Sequence, residues 1–279
     1  MSADIPTLVE LLRSSQFVLA LLGAGLSATS GLPTFRGTGS CWRGRDIKSL
    51  ATRTAFANDP VLVWQFYEQR RQQALWAQPN QGHIAIARLA HQKEHFLAIT
   101  QNIDGLSERA GHAVSKLAPI HGSLFTAKCF DPNCTFETWN YNSLPLAPSL
   151  CLSNTVLVDP TVPLLPVQIH ELPHCPQCRG NLLRPGVVWF GEQLPLGLLS
   201  RVDDWLDQLP RVDLLLVVGT SCRVFPAAEY ITRSREKGAK IAHFNLEADE
   251  AYTSSSDWFV QGDAAITLAD VVNLAFERA

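Results

Sequence analysis

Continuous apolar runs alternate with stretches of helical periodicity along most of this chain. Phe17–Leu22 is one such run, and similar ones occupy 96–100, 212–218 and 240–244. Each is short and bounded by turn residues, as buried parallel strands are. Ile5, Leu8, Val9 and Leu12 follow helical spacing and predict a short opening helix. Helices are also predicted at 60–76, 81–91, 196–209 and 227–237, the last stopped by Gly238. Strands alternating with helices predict an α/β protein: a Rossmann-like, doubly wound parallel sheet with helices on both faces.

The pattern breaks in the middle. Prolines concentrate between Pro145 and Pro176, with the cysteine pairs 129/134 and 175/178 at either end and few helical repeats. That predicts a small inserted module with a long loop. The expected organisation is a discontinuous Rossmann-like domain at 1–40, 97–122 and 186–279. A helical insertion would occupy 41–96, and the small cysteine-containing module 123–185.

Composition narrows the partners. The chain has 279 residues, 46% of them hydrophobic, enough for real cores. Its formal charge of -3 and the absence of a Lys/Arg run argue against nucleic acid or an anionic membrane. No apolar stretch reaches the roughly 18 residues of a membrane span. The first ten residues lack the pattern of a secretory or mitochondrial leader, so a cytoplasmic or nuclear monomer is expected. An odd count of 7 cysteines argues against a disulfide framework.

Candidate chemistry sits at the ends of the apolar runs. Gly23, Ala24, Gly25 and Ser27 follow the first one. A glycine turn there lets backbone amides approach a pyrophosphate, although such turns also serve plain chain reversal. Asp46 lies near the spacing of a ribose-binding carboxylate but does not end a strand, so a dehydrogenase fingerprint is incomplete. Gln101, Asn102, Ile103 and Asp104 end the second run, where amide and carboxylate could orient a ligand or merely cap a turn. His121 precedes Gly122; a lone His is usually structural, yet its ordinary pKa suits a base at neutral pH. Cys129, Cys134, Cys175 and Cys178 offer four thiolates for a tetrahedral, closed and therefore structural zinc site. His170, His174 and Cys151 are nearby rival ligands, while Cys41 and Cys222 read as ordinary small apolar residues.

Together these motifs resemble the sirtuins. Gly23-Ala24-Gly25-Leu26-Ser27 with Gly31-Leu32-Pro33-Thr34-Phe35-Arg36-Gly37 is similar to their first signature. Gln101-Asn102-Ile103-Asp104, His121-Gly122, Gly219-Thr220-Ser221 and Asn245-Leu246-Glu247 follow in the family's order. The resemblance implies an NAD-dependent lysine deacylase whose NAD is consumed. The acyl oxygen attacks the nicotinamide ribose, nicotinamide leaves, and His121, with Asn102, serves the catalysis as the acyl group passes to ADP-ribose. Thr34, Phe35, Arg36 and Trp42 would lie on the nicotinamide side. Gly219, Thr220, Ser221, Asn245, Leu246 and Glu247 would meet the adenosine half, and Ala264 would give a main-chain contact to adenine.

The resemblance extends to class III members, which remove succinyl, malonyl and glutaryl groups. Tyr67 and Arg70, three apart on one helix face, would bind the distal carboxylate, and Ala51 would leave room for it. Thr34 stands where most other sirtuins have Asp. Val188, Trp189, Phe190, Gly191 and Glu192 would pair with an extended acyl-lysine peptide, with Arg223-Val224-Phe225 opposite; a core strand is the rival reading for the apolar positions. Protein ADP-ribosylation, plain deacetylation and a non-catalytic NAD sensor are the competing functions. Relatives of this class are often mitochondrial.

Overall fold

The computed structural model describes residues 4–34, 37–139, 145–248 and 251–276. Three strands of the central sheet come before the inserted module: β1 (Phe17–Leu22), β2 (His95–Thr100) and β3 (Leu117–Pro119). The module contributes β4 (Gly122–Cys129), β5 (Glu137–Trp139) and β6 (Leu183–Val187). The central sheet then resumes with β7 (Leu214–Val218), β8 (Lys240–Asn245) and β9 (Trp258–Gln261). All six central strands are parallel, in the order β9-β8-β7-β1-β2-β3. The strand order reverses between β1 and β7, which is where open α/β sheets bind ligands.

The sheet is buried on both faces, which is why its strands read as unbroken apolar runs. The main helices are α1 (Ile5–Ser14), α2 (Pro60–Trp76), α3 (Gln81–Gln92), α4 (Leu196–Gln208), α5 (Glu229–Glu236) and α6 (Ala264–Phe276). Val18, Ala20, Leu22, Leu216 and Val218 face one layer, packed with Leu8, Ile86, Leu89 and Leu268 of α1, α3 and α6. Their neighbours Leu19, Leu21, Leu215 and Val217 face the other, packed with Val202, Leu206, Tyr230 and Ile231 of α4 and α5. The period-two alternation sends successive residues to opposite cores.

Helix α3 packs on the central sheet. Assigned above to the insertion at 41–96, it buries Ala85, Ile86, Leu89 and Ala90 in the sheet's own core. An amphipathic helix shows that it has an apolar face, not which core receives it. The insertion proper is α2 with the short hairpin and helices before it. Its core joins Trp42, Phe56, Val63, Trp64 and Phe66 to the module residues Phe125, Leu150, Leu183 and Trp189.

Candidate active site at the sheet switch point

The turn after β1 and the turn after β7 are locked together. Gly23 N–H donates to the Val218 carbonyl at 2.9 Å, and Gly25 N–H to the Gly219 carbonyl at 2.8 Å. A Cβ at Gly25 would lie 2.7 Å from the Gly219 Cα, so the two backbones need glycine to pass this closely. Gly219 itself has φ +60, and a Cβ there would stand 2.4 Å from the Leu26 nitrogen. These glycines therefore serve turn-to-turn packing as well as any phosphate approach.

The end of β2 adds amides and a carboxylate beside that turn. Asn102 Nδ2 donates to the Gly23 carbonyl at 3.0 Å, and Gln101 Nε2 to Thr220 Oγ1 at 2.9 Å. Asp104 is 8% exposed and accepts from Ser27 Oγ at 2.7 Å and from the Leu106 amide at 2.9 Å. Burial raises its pKa, opposed by these hydrogen bonds. Asp104 thus caps a turn and faces the glycine turn.

Sequence reasoning missed His83. Its Nδ1 accepts from the Asn80 amide at 3.3 Å, so the proton resides on Nε2, which lies 3.3 Å from Ser27 Oγ. Burial lowers its pKa to about 4 and keeps it neutral. The available signal was Asn80 three residues ahead, the spacing of a helix cap.

His121 is tied to the same strand end, that of β2. Its Nδ1 is 3.0 Å from the Gln101 carbonyl, which can only accept, so Nδ1 carries the proton and Nε2 is the basic nitrogen. Burial lowers its pKa, partly offset by that hydrogen bond. The adjoining carbonyl of His121 accepts from Val188 N–H at 2.8 Å, which ties the 188–192 segment to the base.

At the other side, Thr220, Ser221, Asn245, Glu247 and Tyr252 line a small cavity of about 70 Å³. Asn245 Nδ2 donates to the Thr220 carbonyl at 3.0 Å, joining the ends of β7 and β8. Leu246 points outward and is 64% exposed, and Ala264 is buried at the start of α6. Asp46 is remote from this edge and caps the short helix Ile47–Leu50 through the Lys48 amide, so it is not the ribose carboxylate.

Tyr67 and Arg70, the expected acyl-binding pair, lie among aromatic residues. Tyr67 Oη accepts from Trp189 Nε1 at 3.0 Å, which leaves its own proton free to be donated. Burial raises the Tyr67 pKa, so the phenol stays neutral. The Arg70 guanidinium lies 4.9 Å from the Phe66 ring centre, one helical turn from Tyr67. The Ala51 carbonyl accepts from Phe190 N–H at 2.9 Å, so this small residue borders the same segment as Trp189. Arg71, by contrast, points inward to Glu68 at 3.5 Å.

Several expected site residues take other positions. Trp42 is packed in the insertion core and donates its indole N–H to Gln69 Oε1 at 2.9 Å. The Glu192 carboxylate is held by Arg184 and by the Trp189 amide, so it shapes the 188–192 turn. Residues 188–192 form no strand. Phe35 and Arg36 lie outside the described residues, and Thr34 ends the segment before them.

The sulfurs of Cys129, Cys134, Cys175 and Cys178 lie within 4.8 Å of one another. Cys129 and Cys178 are 3.6 Å apart, and Cys134 and Cys175 are 3.7 Å apart. Tetrahedral zinc with Zn–S near 2.3 Å requires sulfurs about 3.8 Å apart. The quartet fits that ion without His170, His174 or Cys151.

A family model described as the Sir2 family matches residues 23–226, from the glycine turn through the 219–226 segment. The chain belongs to the Sir2 family. It is 41% identical to an NAD-dependent protein deacylase of Candida albicans, over 95% of each sequence. It is also 41% identical to the dog protein named NAD-dependent protein deacylase sirtuin-5, mitochondrial, over 97% of this chain and 86% of that one. Among solved structures, a Sir2 homolog–NAD complex matches with a TM-score of 0.80 and 32% identity, covering 97% of this chain and 93% of that one.

Proposed function

We propose that this sirtuin is an NAD-dependent protein-lysine deacylase that prefers acyl groups ending in a carboxylate. The observation that carries the deacylase reading is His121 with its tautomer fixed, opening onto the interlocked glycine turns of the sheet edge. NAD, when bound, supplies an electrophilic ribose carbon and a leaving nicotinamide. The turns at 23–25 and 219–221 give backbone groups and helix-end amides suited to a pyrophosphate. Asn102 and Asp104 have hydrogen-bonding atoms at the same edge for the nicotinamide half. His121 Nε2 takes a proton from a sugar hydroxyl, and Nδ1–H against the Gln101 carbonyl steadies the imidazolium that results. The enclosed site contributes mainly by positioning and by excluding water.

The acyl preference rests on Tyr67 and Arg70, which offer a neutral phenol and a planar cation to an anion. The zinc quartet is structural: four sulfurs complete the coordination and leave no open position. Peptide substrates would lie along 188–192, with Phe225 exposed nearby in sequence to Arg223 and Val224. Among the described residues no helix is long and apolar enough to cross a membrane. The sirtuin-5 relatives named as mitochondrial add that compartment to the cytoplasmic or nuclear expectation, and imaging a tagged full-length chain decides between them.

The test is product analysis by mass spectrometry after incubating NAD with succinyl-, glutaryl- and acetyl-lysine peptides. Free lysine peptide, nicotinamide and acyl-ADP-ribose in equal amounts support the reading. A peptide carrying ADP-ribose with its acyl group retained establishes transferase activity instead, and no nicotinamide release would leave only a binding protein.

A further inference from the structure

Helix α2 has an unusual second face. Gln65, Glu68, Gln69 and Gln72 repeat at the spacing of one helical stripe, yet all four are buried. Three of them reach the proline-rich segment 145–173, while Gln72 Nε2 donates to Glu68 at 3.3 Å. Gln65 Nε2 donates to the Leu165 carbonyl at 2.8 Å, and Gln69 Nε2 to the Leu157 carbonyl at 3.0 Å. The Leu146 amide donates to the Glu68 carboxylate. This segment has a small core of its own in Leu152, Val156 and Leu157, and Ala147, Leu150 and Leu172 join the insertion core. It is a strap laid over the helix that carries Tyr67 and Arg70.

One side chain fastens the strap from its far side. Arg43 Nη1 donates to the carbonyls of Pro160 at 3.0 Å and Val162 at 2.6 Å, and Nη2 to that of Val156 at 2.8 Å. Arg43 and Gly44 form the two-residue turn of the hairpin that pairs Trp42 with Arg45. Arg43 has φ 50 and Gly44 φ 75. Asn-Gly is the favoured pair in such turns, because both positions need positive φ. An Arg here holds a left-handed backbone that its side chain disfavours. The strained residue is the one that holds three strap carbonyls.

The contacts continue from the latch to the acyl pocket. Arg43 lies 5.7 Å from the Trp42 ring centre, and Trp42 donates to the same Gln69 amide group that reaches the strap. Trp42 packs edge-on against Phe66 with centroids 5.3 Å apart, and Phe66 carries the Arg70 guanidinium on its ring. We propose that Arg43 is a positioning residue for acyl recognition: it latches the strap across α2 and thereby fixes the placement of Tyr67 and Arg70. The role in specificity rests on the acidic-acyl reading above.

The test compares wild type, Arg43→Asn and Arg43→Lys. Asn suits the turn backbone and removes the latch, so a purely structural view expects an unchanged or stabilised enzyme. Loss of the latch in Arg43→Asn instead raises KM for succinyl peptide about tenfold, the size of one or two lost charge-assisted hydrogen bonds, with kcat within about twofold. Activity on acetyl peptide stays within about threefold of wild type, and Lys, which keeps a cation, recovers part of the loss. Amide hydrogen exchange across 65–72 and 156–165 becomes faster in Arg43→Asn. Equal losses on both acyl groups, or unchanged exchange across 65–72, overturn the proposal. If wild type shows no acidic-acyl preference, the pocket reading fails and the exchange result alone decides the latch.

Discussion

Replacing Arg70 with Met removes the guanidinium while keeping an unbranched side chain of similar reach against Phe66. Arg70 is partly buried beside neutral Tyr67, and burial lowers its pKa, the mark of a desolvated cation. A hydrogen bond to a charged group contributes about 1.5–3 kcal/mol, and roughly 1.4 kcal/mol is a tenfold effect. Loss of the Arg70–carboxylate contact therefore lowers kcat/KM on succinyl-lysine peptide by about 10- to 150-fold. The contact lies at the acyl terminus, away from the bonds that change, so most of the loss should appear in KM. Acetyl-lysine has no distal carboxylate, and its kcat/KM should stay within about threefold. Thermal stability should not fall, because a buried cation is replaced by an apolar side chain. Initial rates on both peptides, measured at saturating NAD, give the comparison. Retention of the succinyl advantage by Arg70→Met, or an equal loss on both peptides, refutes the reasoning.

The other expectations concern the base, the buried histidine and the cysteines. Burial lowers the pKa of His121, the proposed base, so the acid limb of the kcat/KM profile should fall below the usual 6.5 and stay flat above it; a limb centred above pH 7 would assign the limb to another group. His83 has a folded pKa of about 4 against 6.5 when unfolded, so the unfolded chain binds the extra proton and stability is lost as pH falls from 6.5 toward 4. The loss approaches ~3 kcal/mol, and urea titrations should show it flattened in His83→Gln. Cys175→Ser, or prolonged chelation, should release bound zinc and lower Tm by several degrees; an unchanged Tm with full metal loss would remove the structural role of the ion.

The strands of the central sheet were legible because burial on both faces leaves continuous apolar runs. Phe17–Leu22 and Pro60–Trp76 have the expected limits, and most other elements shift by one or two residues. What the sequence hid was tertiary. Nothing in the amphipathic pattern of α3 says that it belongs to the sheet core. Glu192 looked available for a peptide, and only the fold brings Arg184 to its carboxylate. His83 sits far in sequence from Ser27 and Asp104, and its neutral state follows from burial that no local pattern reveals. The polar stripe of α2 resembles a solvated face until the 145–173 strap covers it.

The most direct test of the account is a competition between succinyl- and acetyl-lysine versions of one peptide, mixed in equal amounts with limiting enzyme and saturating NAD. The ratio of initial deacylation rates is the ratio of kcat/KM, free of errors in enzyme concentration. The proposed acyl site of Tyr67, Arg70 and Ala51 predicts about 10- to 150-fold faster removal of the succinyl group. A ratio at or below one would contradict it.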